Sequence, residues 1–296
     1  MRRAIRAMTE DHRSGSARLA LRACQLLGRC PAGPASDPLA HGRPLAQAVA
    51  AAQPAMAAVG NACRRWLQRV ERGMAPQQAA HRVAQELAQA QRAAAGHAAR
   101  LIRSGQAVAT WSASFTVETA LLQAHRSGRR FRVLCAEGRP RYEGRALARR
   151  LAAGGLSVEL FTDAALLAAI PDANLALVGC DALFPRYFVN KTGTHALCRL
   201  ARAARIPVWV VADTFKFLPA AAGPAFRIRE ENPAEVWTKK PARLRVRNFY
   251  FERVPLEACS AIITEQGLST PGQLRRRFRA AFGNPGAALA RMDSCD

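Results

Sequence analysis

Asn174-Leu-Ala-Leu-Val178-Gly-Cys-Asp-Ala182, followed shortly by Phe188-Val-Asn-Lys-Thr-Gly-Thr194, decides how this chain is read. The first five residues are a short apolar run, the pattern of a strand buried on both faces. The run stops at a glycine and then presents one carboxylate, Asp181. Asn190, Lys191 and a Thr-Gly-Thr turn follow, and a helical pattern opens at His195. A carboxylate just past a strand, with an amide and an ammonium at a helix start, suits a phosphorylated, polyhydroxylated ligand. The helix N-terminus and Lys191 favour the phosphate. Asp181 can accept from hydroxyls or move a proton.

Outward from this stretch the pattern alternates. Strands are expected at 106–110, 130–136, 157–161, 174–178 and 207–212. Helices are expected at 116–127, 144–153 and 195–204, with Asp163 capping a short one that runs to 170. Alternation of this kind implies a parallel sheet with helices on both faces, and right-handed crossovers make it a Rossmann-like open sheet. Further strands at 248–254 and 261–264 precede a basic helix over 270–282, and the tail 284–296 reads as frayed.

Upstream of residue 105 the character changes. Apolar residues recur at helical spacing over 13–27, and helical patterns resume over 45–72 and 77–103. Residues 28–44 are rich in Gly and Pro and read as a loop. Pro54 is expected to begin or kink a helix. The fold class is therefore α/β, with a helical domain over 1–104 followed by a Rossmann-like ligand-binding domain over 105–283.

Half of the 296 residues are apolar and 22% are charged, which excludes a disordered chain. No apolar run reaches the length of a membrane span. The basic start has no apolar stretch behind it, so it is not read as a secretory signal. A soluble cytoplasmic protein with no membrane contact is expected. The net charge is +23, from 44 basic and 21 acidic residues. Three readings of that excess stay open: a solvated surface, a local pocket for a phosphorylated ligand, or contact with RNA or the ribosome. Aromatic residues make up only 6% of the chain, and no aromatic–basic interleaving of the single-strand-binding kind is read. Eight cysteines are scattered without a C-x-x-C pair or a histidine cluster. Buried reduced thiols are expected, with no metal, no cofactor and no disulfide framework.

The strand ends carry the polar residues, where open α/β sheets bind ligands. They are Ser112 and Ser114, the loop from Glu137 through Arg139, Asp163, Asp181, Asn190 with Lys191, and Asp213 with Lys216. Each has a plainer alternative. Ser112 and Ser114 can cap the next helix, Arg139 can hold Glu137, and Lys216 can be solvated. Asp181 is hardest to dismiss, because a carboxylate beside a buried strand needs a partner or a task.

Four segments then point to a family. Glu137-Gly-Arg-Pro-Arg-Tyr-Glu-Gly144, Gly179-Cys-Asp-Ala182, Val189-Asn-Lys-Thr-Gly-Thr194 and Ala212-Asp-Thr-Phe-Lys-Phe217 resemble, in order and spacing, the translation initiation factor 2B alpha/beta/delta family. That family also holds the ribose-1,5-bisphosphate and methylthioribose-1-phosphate isomerases. The stretch from Val254 to Gly267 resembles its C-terminal signature. Ser14-Gly-Ser-Ala-Arg-Leu-Ala20 and Gln53-Pro-Ala-Met56 resemble its helical segments. The resemblance implies a homodimer or larger homo-oligomer and a phosphosugar or nucleotide pocket between the domains. In the isomerases a cysteine and an aspartate carry aldose–ketose conversion. The aspartate matches Asp181, and the cysteine matches Ser112. Asn190, Lys191 and Arg139 match the family's ligand-binding residues, and its phosphate-gripping Arg-Gly pair has a loose echo at Arg13-Ser-Gly15. Ser114 and Lys216 complete the expected binding set.

The serine is a departure. A thiol titrates near neutrality when its surroundings help; a serine hydroxyl does not. Regulatory members of the family resemble this chain in carrying serine there. Cys180 and Cys135 are the outside candidates for a substitute thiol, although strand alternation turns Cys180 away from Asp181. The expected function is binding of a sugar phosphate or nucleotide without isomerase activity. The alternative is an aldose–ketose isomerase acting on a ribose-phosphate-type substrate. A third reading is a scaffold in translation acting through the basic surface.

Overall fold

The structure, a computed structural model, describes residues 1–11, 14–31 and 37–282. In chain order, the helices α1 (Arg2–Thr9), α2 (Ser16–Leu27), α3 (Pro38–Ala52), α4 (Ala57–Glu71) and α5 (Pro76–Leu101) come first. Then follow β1 (Ala107–Thr110), α6 (Phe115–Arg126), β2 (Arg132–Ala136), α7 (Glu143–Ala153), β3 (Ser157–Phe161), α8 (Asp163–Ala168) and β4 (Leu175–Val178). The remainder is β5 (Ala182–Leu183), β6 (Tyr187–Lys191), α9 (Thr194–Ala203), β7 (Val208–Val211), β8 (Phe251–Pro255), β9 (Ala261–Thr264), β10 (Gly267–Ser269) and α10 (Pro271–Phe282).

The main sheet has the order β10-β9-β7-β4-β1-β2-β3. Every neighbouring pair is parallel except β10 against β9. β1, β4 and β9 are buried along their whole length, which is why they read as continuous apolar runs. From β1 the chain winds outward through β2 to β3. It then returns to β4 and winds the other way through β7 to β9. The strand order therefore reverses between β1 and β4, and the crevice beyond their carboxyl ends is where such sheets bind ligands.

The expected elements are present, with informative differences. β6 was not anticipated: Tyr187–Lys191 pairs with β8, placing Asn190 opposite Glu252 and Lys191 opposite Phe251. A five-residue run next to a turn shows no period of its own, so only its partner strands, β5 and β8, define it. α3 begins at Pro38, inside the expected loop, with the Asp37 carboxylate accepting from the Leu39 amide at 2.8 Å. The alanine-rich run behind Pro44 propagates helix well enough to hold that internal proline. Pro54 lies in the break between α3 and α4. Among the described residues, no helix is long and apolar enough to cross a membrane.

α5 joins the two halves. Val83 and Leu87 pack into the core of the helical unit, whereas Ala94, Ala95, Ala98 and Ile102 pack with Val108, Val117 and Leu121 against the sheet. A second tie runs through α4. The Asn61 side-chain amide donates to the carbonyls of Phe215 (2.6 Å) and Phe217 (2.8 Å), both just past β7. The Arg65 guanidinium lies 3.8 Å over the Phe215 ring. Asn61→Ala leaves two buried carbonyls unpaired, so a loss of about 3 kcal/mol in urea unfolding is expected. A loss below about 1 kcal/mol would mean that water takes over both bonds.

Candidate functional site

Six elements deliver side chains to the crevice between β1 and β4. The end of β1 supplies Ser112, held at φ +65° in the left-handed region. The start of α7 supplies Glu143. That start is pressed so closely onto β2 that a Cβ on Gly144 would lie 1.8 Å from the Ala136 carbonyl oxygen. The end of β4 supplies Asp181, whose amide donates to Val189 (2.8 Å) and whose carbonyl accepts from Ala57 of α4 (3.1 Å). β6 supplies Asn190 and Lys191. A single 3₁₀ turn after β7, Thr214–Lys216, supplies Lys216. The first residue of α2 supplies Ser16.

The charges are interlocked. Lys191 is only 5% exposed, and its Nζ lies 2.7 Å from Glu143 Oε1. Ser112 Oγ donates to the same oxygen at 3.0 Å. Glu143 Oε2 is buried and has no hydrogen-bond partner. The Tyr250 ring covers the Lys191 ammonium at 5.1 Å. Asn190 donates to Thr194 Oγ1 at 2.9 Å, and that hydroxyl donates to the Lys191 carbonyl at 2.6 Å. Lys216 is 3% exposed and lies 3.9 Å from Asp213 Oδ2, a fully buried oxygen without a hydrogen bond. Burial pushes the Asp181 carboxyl above the usual carboxylate range; Lys216, the Ser16 hydroxyl and Lys191 pull it back, and Glu143 adds to the rise. Burial likewise pushes Asp213 up, against Lys216.

Several expected site residues have other duties. Ser114 caps α6, its hydroxyl accepting from the Val117 amide at 3.4 Å. Arg139 is exposed and directs its guanidinium to the Tyr142 hydroxyl and to the Val236 carbonyl (3.3 Å). It does not hold Glu137; Arg145 does, at 2.6 Å. Asp163 is not the cap of α8. Thr162 caps it, and Asp163 instead accepts from the Gly138 (2.8 Å) and Arg139 (2.7 Å) amides, fixing the loop before α7. Lys216 is buried rather than solvated. Arg13 lies outside the described residues.

The helix start expected to face phosphate is already filled. The amides of Gly193 and His195, which open α9, both donate to Glu252 Oε1 at 2.8 Å. Gly193 is required there, at φ +102° and with Trp111 so close that a Cβ would lie 2.2 Å from its ring.

Neither candidate thiol stands in for Ser112. Cys180 packs in the sheet core, its thiol donating to the Ala182 carbonyl at 3.2 Å, and burial pushes its titration far up. Burial pushes Cys135 up to about 12. The seven described cysteines are all free and buried.

Glu143 and Ser16 were missed as site residues although both lie in quoted segments; an acidic residue just before the helix-opening Gly144 was the available signal. A basic segment was also passed over. Residues 236–247 carry Lys239, Lys240, Arg243, Arg245 and Arg247 without one acid, behind a Trp237 that is 47% exposed.

Comparison with known proteins agrees with this fold. The model of the Initiation factor 2 subunit family matches residues 38–271, well over half of the chain. The chain belongs to that family. It is 34% identical over 184 residues to a translation initiation factor eIF-2B subunit 2-like protein of Pyrococcus horikoshii, covering 62% of this chain and 64% of that protein. It is 33% identical over 177 residues to the ribose 1,5-bisphosphate isomerase of Methanocaldococcus jannaschii, covering 58% of each. The chain thus spans less than two thirds of the length of either relative. A crystal structure of the translation initiation factor eIF-2B of Pyrococcus horikoshii superposes with a TM-score of 0.81 at 28% identity, covering 91% of this chain and 96% of that one. The 5-methylthioribose 1-phosphate isomerase of the same organism shares the fold, with a TM-score of 0.74 at 21% identity over 94% of this chain and 87% of that one. Initiation factors and isomerases stand side by side among these proteins, so the chemistry has to be read from the site.

The raised Asp181 carboxyl has a measurable consequence. Above about pH 4 the unfolded chain has released this proton while the folded protein still holds it. The unfolded state then binds fewer protons, so this group's contribution to stability falls as pH rises toward its folded titration point. The melting temperature of Asp181→Asn minus that of the wild type is expected to grow from about pH 4 to pH 7. A difference that shrinks with pH would mean that the site prefers the ionised carboxylate.

Proposed function

We propose that this protein binds a phosphorylated sugar or nucleotide at the carboxyl edge of its sheet and does not isomerise it. Ser112 carries the reading. The position that resembles the isomerases' cysteine holds a hydroxyl committed to Glu143 at 3.0 Å, and the two nearby thiols are buried and hard to ionise. Binding is supported by the buried acceptor oxygens Glu143 Oε2 and Asp213 Oδ2, which have no hydrogen bond from the protein and suit ligand hydroxyls. Of the two phosphate positions read in the sequence, the start of α9 and the Arg13-Ser-Gly15 segment, the second is favoured. α9 is closed by Glu252, α7 opens on the Glu143 carboxylate and the first amide of α4 is spent on the Asp181 carbonyl, which favours the start of α2, whose N-cap Gly15 offers no side-chain bond and whose Ser16 reaches Asp181.

The alternative reading, an aldose–ketose isomerase of ribose-phosphate type, is favoured by one observation. A carboxyl raised by burial, as in Asp181, keeps a proton to exchange closer to neutrality. Phosphorus NMR of the protein with pentose phosphates, pentose bisphosphates and nucleoside monophosphates separates the two. Line broadening without a new resonance is the expected result. A ketose-phosphate resonance that grows with time and vanishes in Asp181→Asn would establish the isomerase instead. Spectra unchanged by the protein across the whole panel would reject both.

A further inference from the structure

We propose that Glu143 sets the ligand class of this site: it occupies the Lys191 ammonium and turns that end of the site toward hydroxyls, so the protein selects monophosphorylated over bisphosphorylated ligands. The inference rests on the ligand-binding reading above and adds what that reading leaves open.

The buried ammonium of Lys191 needs a counter-charge, because an unpaired charge at this depth is costly. Glu143 Oε1 supplies it at 2.7 Å. The looser Lys216–Asp213 pair, at 3.9 Å, marks Lys191 as the more fully committed of the two buried lysines. Ser112 spends its one proton on the same Oε1, which leaves its hydroxyl with lone pairs only. Glu143 Oε2, buried and without a partner, is also an acceptor. The unused hydrogen-bonding capacity of Ser112 and Glu143 therefore accepts donors. A sugar hydroxyl satisfies it. A phosphate dianion, the main form at neutral pH, brings no donor and meets a carboxylate already in place.

Glu143 is also held in position. Gly144 has no clearance from β2, and Tyr142 before it is fixed in the left-handed region at φ +57°. Gly138, at φ +77°, passes so close that a Cβ there would lie 3.1 Å from the Glu143 carboxyl carbon. Asp163 pins that loop by two backbone amides. A ligand phosphate thus has no cheap way to push Glu143 aside and claim Lys191.

Isothermal titration calorimetry with ribose 5-phosphate and ribose 1,5-bisphosphate, on the wild type and on Glu143→Gln, tests this. The wild type is expected to bind the monophosphate at least about tenfold more tightly, of the order that one misplaced like charge imposes. Glu143→Gln keeps the shape, frees the ammonium, and is expected to remove most of that preference by tightening the bisphosphate. Equal or tighter binding of the bisphosphate by the wild type would overturn the proposal while leaving the binding reading intact. So would a preference that Glu143→Gln leaves unchanged. Absence of binding by either ligand to either protein would reject the binding reading itself, and the proposal with it. Should Glu143→Gln fail to fold, Glu143→Asp withdraws the carboxylate by one methylene, and an unchanged preference in that variant counts equally against the proposal.

Discussion

Two buried ammonium groups govern this molecule. Lys191 and Lys216 arrive from β6 and from the turn after β7, and neither is more than 5% exposed. Charges at such depth survive only beside carboxylates, and removing one partner of a buried pair costs about 3–5 kcal/mol. Glu143 and Asp213 must therefore be present, and the elements that carry them must close onto the same crevice. The close approach of Gly144 to β2 and the Asp163 bonds to the Gly138 loop are the local means by which Glu143 reaches Lys191. Asp181 inherits its raised titration from this enclosure, since burial is its largest cause.

The helical unit is part of the site. The Asp181 carbonyl is tied to α4 through Ala57, its side chain is reached by Ser16 of α2, and Asn61 holds the backbone on either side of Lys216. Separation of the two units would hydrate Asp181 and lower its titration toward the ordinary range. Docking of helices and tuning of the carboxyl are thus one physical event. This links the buried amide bonds of Asn61 to the chemistry some residues away.

A single fold here serves both initiation factors and isomerases, so the fold by itself does not fix the chemistry. In this chain a hydroxyl stands at position 112, and a carboxylate bonded to it closes the neighbouring lysine. The Lys191 ammonium is therefore paired before any ligand arrives. The proposed recognition of hydroxyl donors rests on the site's unpaired acceptor oxygens, and the cysteines among the described residues are all buried.

The sequence by itself determined the alternating strands and helices, the helical start, and the family. It also offered Asp181, Asn190, Lys191 and Lys216 as candidates, because strand ends in an open sheet concentrate polar residues. Those features are local: apolar periodicity and short motifs survive without knowledge of contacts. Tertiary structure alone decided which partners these residues have. Glu252 closing α9 comes from a strand 57 residues beyond His195, and β6 exists because β5 and β8 pair with it on either side. Arg139 and Asp163 have the residue types of a site but spend their bonds on loops, while Glu143, unremarked in its motif, stands at the centre. Partner choice depends on distances between segments remote in sequence, and no pattern within one segment encodes it.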